Sequence, residues 1–324
     1  MPWRIKVPQG DNLDEEKGIT VEELAKDISI ISTNYHDVSL YLLSAKINDK
    51  LFLFDSSTSK QINDITDITG IPDYCIITHA HPDHAGGSGF LHHHGTVTIS
   101  SPENKALLFD SRTLLDSFFP DRFKKFFDGE YLSDTVSTIL SESRDVYIEK
   151  TFSPVKAVEI INAPGHTSAS LLVKYNNILF TSDEVQGYGI TGSKSTDSIP
   201  QIWSINDYLI TLNKIKNSRF DILIPGHNFI PFKNEILEGN MAYRFIDDSI
   251  DFVYKLLDIS IDILTEPVTL KEFAIRLLEQ TGHRNGIYPQ AFITCESIIS
   301  FLGNRITKQR EGDIYVFQNG KPFR

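Results

Sequence analysis

The chain has 324 residues, 40% hydrophobic and 23% charged, with 31 Lys and Arg against 43 Asp and Glu for a formal charge of −12. That length can bury a sizeable core, and one large domain plus a small one is the natural division. The acidic balance disfavours a nucleic-acid partner, and no run of about eighteen apolar residues is present to span a membrane.

Between Ile19 and Phe54, apolar and polar segments alternate with turn residues between them. Residues 27–31 and 38–43 read as strands, and Asn48-Asp49 is a hairpin turn into a strand over 51–54 that ends at Asp55. A short helix over 59–68 feeds a strand over 74–78. Cys75 sits in that apolar strand, which points to core packing. With only Cys295 besides, far away in sequence, no disulfide framework is indicated, and a reducing, cytoplasmic setting is expected. The opening residues Met1-Pro2-Trp3-Arg4-Ile5-Lys6 lack the apolar stretch of a secretory signal, in line with that expectation.

The strand over 74–78 leads into Thr78-His79-Ala80-His81-Pro82-Asp83-His84-Ala85-Gly86-Gly87, an H-x-H-x-D-H run. His79 and His81, two apart, leave a strand end on the same side. Asp83 and His84 follow at the turn. Three imidazoles and a carboxylate so closely spaced put several metal-ligand atoms around one small volume. Gly86 and Gly87 open the next helix, where they are expected to leave room for metal and substrate. His92-His93-His94 reads as a surface loop before a strand over 96–100, not as a further ligand set. Residues 102–150 are mostly helical in pattern and carry Phe109, Phe118, Phe119, Phe123, Phe126 and Phe127. Their spacing reads first as a helical layer packed on the sheet, with an aromatic lid over the site as the alternative.

Three further motifs share one grammar, an apolar run followed by a turn and a ligand-type residue. Residues 158–161 precede Ala163-Pro164-Gly165-His166-Thr167, residues 178–180 precede Thr181-Ser182-Asp183-Glu184, and residues 222–224 lead into Pro225-Gly226-His227-Asn228. Each places its ligand at a strand's carboxyl end, where open sheets host their sites. After Asp183, Tyr188 reads as a turn tyrosine covering the core edge, with an oxyanion donor as the alternative. Residues 193–198 form a polar loop and 208–215 an amphipathic helix. Beyond His227 the pattern turns helical, over 234–258, over 268–278 with a Thr269 cap, and over 294–304. A strand over 314–317 and an Asn319-Gly320 turn close the chain. This change sets the domains as 1–231 and 232–324. Arg305, Lys308 and Arg310 read as a solvated helix end or wing.

Taken together, these motifs resemble the metallo-β-lactamase-fold superfamily of hydrolases, over about Asp37 to His227. The resemblance implies an α/β (α+β) fold, a four-layer αββα sandwich, with residues 232–324 similar to a small helical winged-helix appendage. It implies two divalent metal ions, one held by His79, His81 and His166, the other by Asp83, His84 and His227, with Asp183 bridging them. Zinc suits such ligands first, and iron or manganese also fit. Asp83 and Asp183 become the catalytic carboxylates. The expected reaction is hydrolysis of an ester, thioester, lactone or related acyl bond in a small-molecule substrate. A phosphodiesterase or ribonuclease, and an iron-dependent oxidoreductase of the same fold, are the enzymatic alternatives; a non-catalytic nucleic-acid-binding regulator is the alternative outside enzymes. Winged-helix units in this setting pack beside the active site or at a homodimer interface more often than on DNA. The missing secretory signal disfavours antibiotic degradation outside the cytoplasm.

Overall fold

The computed structural model describes residues 18–109, 111–142, 146–151, 158–191, 197–283, 287–309 and 314–317. The first sheet has seven strands in spatial order β1 (Thr20–Ala25), β2 (Ile28–Tyr35), β3 (Val38–Ile47), β4 (Lys50–Phe54), β5 (Tyr74–Ile76), β6 (Val97–Ser100) and β7 (Lys150–Thr151). β1 to β4 pair antiparallel, and β4 to β7 pair parallel. The expected turn between β3 and β4 has left-handed backbone at Asn48 and Asp49, the geometry of a type I′ hairpin. Next in the chain come β8 (Glu159–Asn162), β9 (Leu171–Tyr175), β10 (Ile178–Ser182), a small hairpin of β11 (Ile190–Thr191) and β12 (Asp197–Ser198), then β13 (Ile222–Pro225) and β14 (Leu237–Glu238). The second sheet runs in the order β14-β13-β10-β9-β8.

Alternation along the strands explains the layering. Phe52, Phe54, Ile30, Leu43 and Ile76 of the first sheet meet Val173, Ile178, Phe180 and Ile224 of the second in one apolar cluster. Their chain neighbours Ile31, Leu42, Leu53, Cys75, Leu179 and Leu223 point the other way, into a second cluster shared with the helices. Strands buried on both faces thus give helix, sheet, sheet, helix. Helices Ile62–Thr69 and Ser88–His93 contribute Ile62, Ile65 and Leu91 to the helical layers; helices Ile205–Lys216 and Asn240–Ile263 contribute Leu212, Ile215, Phe245 and Val253. Backbone hydrogen bonds stitch the two sheets together. The Tyr41 N–H donates to the Gly226 carbonyl at 2.8 Å, and the Leu171 N–H to the Thr78 carbonyl at 2.9 Å.

Two sequence expectations need correction. The helix after His84 is broken into Pro82–Ala85 and Ser88–His93. Gly86 and Gly87 leave room for backbone, not for metal or substrate: a Cβ at 86 would stand 2.3 Å from the Glu142 carbonyl, and one at 87 would stand 2.4 Å from the Ser56 carbonyl. The helices after His227 also sit a few residues from their expected bounds, at Asn240–Ile263, Leu270–Thr281 and Pro289–Leu302. The Thr269 cap is present as a full capping box with Glu272, worth about 1 kcal/mol to that helix.

The region over 102–150 folds as helices Pro102–Phe109, Ser111–Phe118, Asp121–Lys124 and Gly129–Glu142. Phe119 and Phe123 are fully buried. Phe126 stacks on Phe292 with centroids 4.7 Å apart, and Phe127 meets the same ring edge-on at 5.7 Å. The Arg122 Nε lies 2.9 Å from the Glu296 carboxylate. Most of these rings therefore pack the layer and dock it on helix Pro289–Leu302. Among the described residues, no helix is long and apolar enough to cross a membrane. Cys75 and Cys295 are free and buried. The C-terminal strands β15 (Val268–Thr269), β16 (Ile306–Gln309) and β17 (Ile314–Phe317) pair in the order β15-β17-β16. Arg305 is exposed, while Arg310 and the Asn319-Gly320 turn lie outside the described residues.

Candidate metal centre

Motifs far apart in sequence meet at one end of the sandwich. His79 and His81 follow β5, and Asp83 and His84 sit on the short helix opened by Pro82, whose fixed φ suits a first helical position. His166 follows β8, Asp183 follows β10, and His227 follows β13. One oxygen, Asp183 Oδ2, stands among imidazole nitrogens: Nε2 of His84 and of His227 at 3.6 Å, of His166 at 3.7 Å and of His79 at 3.9 Å. His81 Nδ1 is 3.1 Å from His166 Nε2. On the far side, Asp83 Oδ2 is 3.1 Å from His227 Nε2 and 3.6 Å from His84 Nε2. Two compact groups result, His79, His81, His166 and Asp183, and next to it Asp83, His84 and His227. In each, the ligand atoms lie within 4.8 Å of one another.

The donor set fits cations. Bonds of about 2.0–2.2 Å at tetrahedral angles put neighbouring ligand atoms roughly 3.3–3.6 Å apart, close to the spacing found here. His79 Nε2 and Asp183 Oδ1 are buried without a hydrogen-bond partner, a state that costs about 1–3 kcal/mol per group unless something else satisfies it. Gly226 keeps the space open, since a Cβ there would stand 2.2 Å from Asp183 Oδ1 and 3.0 Å from His84 Cε1.

The outer nitrogens of four of the five rings are each held by a partner that turns the other nitrogen toward the cluster. His166 Nδ1 lies 3.0 Å from the Gln201 carbonyl, and His227 Nδ1 lies 2.8 Å from the Ser39 carbonyl. His84 Nδ1 lies 2.7 Å from Asp55 Oδ2, and His79 Nδ1 lies 3.0 Å from Thr78 Oγ1. Such partners fix tautomer and ring orientation in metal sites. Asp55 is the largest feature the motif reading missed. It could itself be grouped with His79 and His84 as a ligand. Its oxygens, however, already accept from the Thr78 N–H at 2.7 Å, the Thr78 hydroxyl at 2.9 Å and the Ser182 hydroxyl at 2.9 Å, besides His84. We assign it an orienting role. Its signal was an Asp at the end of the strand beside β5. Asp55, Ser57 and Ser182 all have left-handed backbone, with φ of 62°, 58° and 47°, and strain of this kind gathers at functional sites.

Electrostatics divides the two groups. Burial pushes His79 and His81 well below the ordinary imidazole range, helped by neighbouring imidazoles, and burial also lowers His166. Burial works against His84 and His227 too, but the Asp183 and Asp83 carboxylates outweigh it and raise both. Those carboxylates are lowered in turn despite burial, Asp83 to about 2.

A cavity of about 370 Å³ opens over the cluster. Tyr35, Tyr131, Ile190, Phe229, Ile287 and Tyr288 give it apolar walls, and Gln186, Gln201 and Gln290 give it amides. Of the phenylalanines over 102–150, Phe118 approaches the site, with its ring 4.3 Å from that of His81. Tyr188 faces away. Its hydroxyl donates to Asp248 Oδ1 at 3.1 Å and its ring packs on Phe252, as the turn-tyrosine reading expects. His92 stacks on Tyr147, and among the described residues the histidines over 92–94 join no ligand group.

Known proteins resemble the chain to different extents. A Methanocaldococcus jannaschii protein named as a probable metallo-hydrolase is 31% identical over 201 residues, covering 59% of this chain and 87% of that protein. The crystal structure of a metallo-beta-lactamase family protein from Thermus thermophilus superposes with a TM-score of 0.67 at 13% identity, over 91% of this chain and all of that one. The DIM-1 metallo-beta-lactamase gives a TM-score of 0.51 at 15% identity, over 73% and 97% of the two chains. These structures share the fold. The sequence profile of the metallo-beta-lactamase superfamily matches residues 36–227. The chain therefore belongs to the metallo-beta-lactamase superfamily and is a hydrolase of that family.

Proposed function

We propose that the protein is a dinuclear metal-dependent hydrolase of an ester, thioester, lactone or related acyl bond in a small molecule. The observation that carries this reading is the position of Asp183 Oδ2, within 3.9 Å of four imidazole nitrogens divided between two ligand groups. His79, His81 and His166 would hold one cation, Asp83, His84 and His227 the other, and Asp183 both. Nitrogen and oxygen donors without a thiolate suit zinc first, with iron and manganese also compatible. Such a pair, when bound, supplies a water acidic enough to ionise near neutral pH and a Lewis acid for the acyl oxygen.

The chain's own groups supply the rest. Asp83, held ionised beside His84 and His227, orients the attacking water and can receive its proton. The tyrosine and aliphatic walls take the apolar part of the substrate and exclude bulk water. We read residues 232–324 as a winged-helix-like unit, from the order helix Asn240–Ile263, β15, helix Leu270–Thr281, helix Pro289–Leu302, β16 and β17. The third helix, which reads DNA in such folds, has Ala291 to Cys295, Ser297 and Ile298 buried here. That face packs on Phe126 and bonds the backbone of Ile202 and Ile205, which supports a catalytic rather than a nucleic-acid role. Two free, buried cysteines support the cytoplasmic expectation.

The test is metal analysis of purified protein followed by a panel of ester, thioester, lactone, phosphodiester and lactam substrates. About two metals per chain, and acyl-bond turnover abolished by chelation, are expected. Turnover of the phosphodiester alone, or a single iron with oxygen consumption, would replace the reading.

A further inference from the structure

We infer that Thr294, on the C-terminal helix Pro289–Leu302, is a positioning residue for the first ligand group. This rests on the metal-centre reading and extends it to a segment outside the seven ligands. Thr294 is fully buried. Its hydroxyl donates to the Pro200 carbonyl at 2.9 Å and accepts from the Ile202 N–H at 3.0 Å. One side chain thus grips the loop immediately before and immediately after Gln201.

Gln201 is the residue whose carbonyl holds His166 Nδ1 at 3.0 Å. The Gln186 side chain closes the frame, accepting from the Gln201 N–H at 3.0 Å and donating to the Gln201 carbonyl at 3.0 Å. With both flanking peptides clamped, the carbonyl has one direction, and so has the His166 ring that donates to it. His166 Nε2 in turn lies 3.1 Å from His81 Nδ1 and 3.7 Å from Asp183 Oδ2. This helix and its N-cap residue hold the neighbouring chain twice more. Tyr288 accepts from the Ile199 N–H at 2.8 Å, and Ser297 accepts from the Ile205 N–H at 2.8 Å. The second ligand group is oriented from elsewhere, His84 by Asp55 and His227 by the Ser39 carbonyl. The C-terminal helix therefore acts on one half of the centre.

That asymmetry is the basis of the test. Zn2+ affinity is measured by chelator competition in two backgrounds. His227→Ala keeps the first group intact, and His166→Ala keeps the second. Thr294→Val, which preserves shape but removes both hydrogen bonds, is expected to weaken Zn2+ binding about tenfold in the His227→Ala background and by less than about twofold in the His166→Ala background. Thr294→Ser restores the donor and acceptor and is expected to recover the loss. Unchanged affinity in the His227→Ala background, equal weakening in both backgrounds, or no recovery with serine would overturn the inference while leaving the metal centre standing. No Zn2+ binding by the wild-type protein would instead remove the metal reading itself. If circular dichroism shows that Thr294→Val is unfolded, Tyr288→Phe, which removes the acceptor of the Ile199 N–H, is carried through the same comparison, with a smaller shift of the same pattern expected.

Discussion

The two candidate ligand groups sit side by side, buried except for the half-buried His81, yet their imidazoles are driven in opposite directions. His79, His81 and His166 fall below the ordinary range because burial dominates. His84 and His227 rise because Asp183 and Asp83 stand close enough to outweigh burial. Burial alone therefore does not set the protonation of a buried histidine; the nearest carboxylates decide it. The consequence is chemical. A cation entering the first group meets free lone pairs, whereas one entering the second must displace protons.

The largest effect is expected where the groups share a ligand. Asp183→Ala removes the common oxygen, so metal content should fall below two per chain and kcat/KM by about a thousandfold, the equivalent of several kcal/mol of charge stabilisation. Retention of two metals and near-normal turnover would dissolve the shared centre. Next comes Asp55→Asn. The amide no longer offers His84 Nδ1 a carboxylate, and affinity at the second group should drop about 10–100-fold; equilibrium dialysis that shows the first group equally weakened would contradict the division. A smaller effect follows pH. As pH falls, protons compete first for His84 and His227, because the neighbouring carboxylates hold both above the ordinary imidazole range. The second metal should therefore leave before the first, its affinity falling roughly tenfold per pH unit for each proton displaced. Loss of the first metal before the second in a pH series would reverse the comparison. The smallest effect is Tyr188→Phe. Its hydroxyl serves Asp248 rather than the cavity, so kcat/KM should change by less than about twofold while stability drops by about 1 kcal/mol; a large fall in kcat would restore the oxyanion reading.

The candidate ligands were legible because each lies in a short motif at a strand's end, where residue type and turn chemistry coincide. His79 to His84 need only local chain geometry to cluster. His166, Asp183 and His227 were legible as strand-end ligands, although their meeting depends on the stitching of two sheets at Tyr41, Gly226, Leu171 and Thr78. The partners behind them were not legible. The carbonyls of Ser39 and Gln201 are backbone groups, which every residue carries, so no residue type marks them. Thr294 acts across a separation of more than ninety residues. Asp55 left a trace at its strand end, but only its four donors reveal its role. In the fold, β1 escaped notice because Thr20, Val21, Glu22 and Glu23 are exposed and show no apolar alternation. The helix after His84 was read as continuous because a glycine pair does not say what it is making room for. Structure shows the claimant to be the backbone of Ser56 and Glu142.

The central claim is that two cations share Asp183. Anomalous diffraction from crystals of the zinc-loaded protein tests it most directly. The account predicts two peaks, one among His79, His81 and His166 and the other among Asp83, His84 and His227, both within bonding distance of the Asp183 carboxylate. A single peak, or two peaks with Asp183 bound to neither, would contradict it.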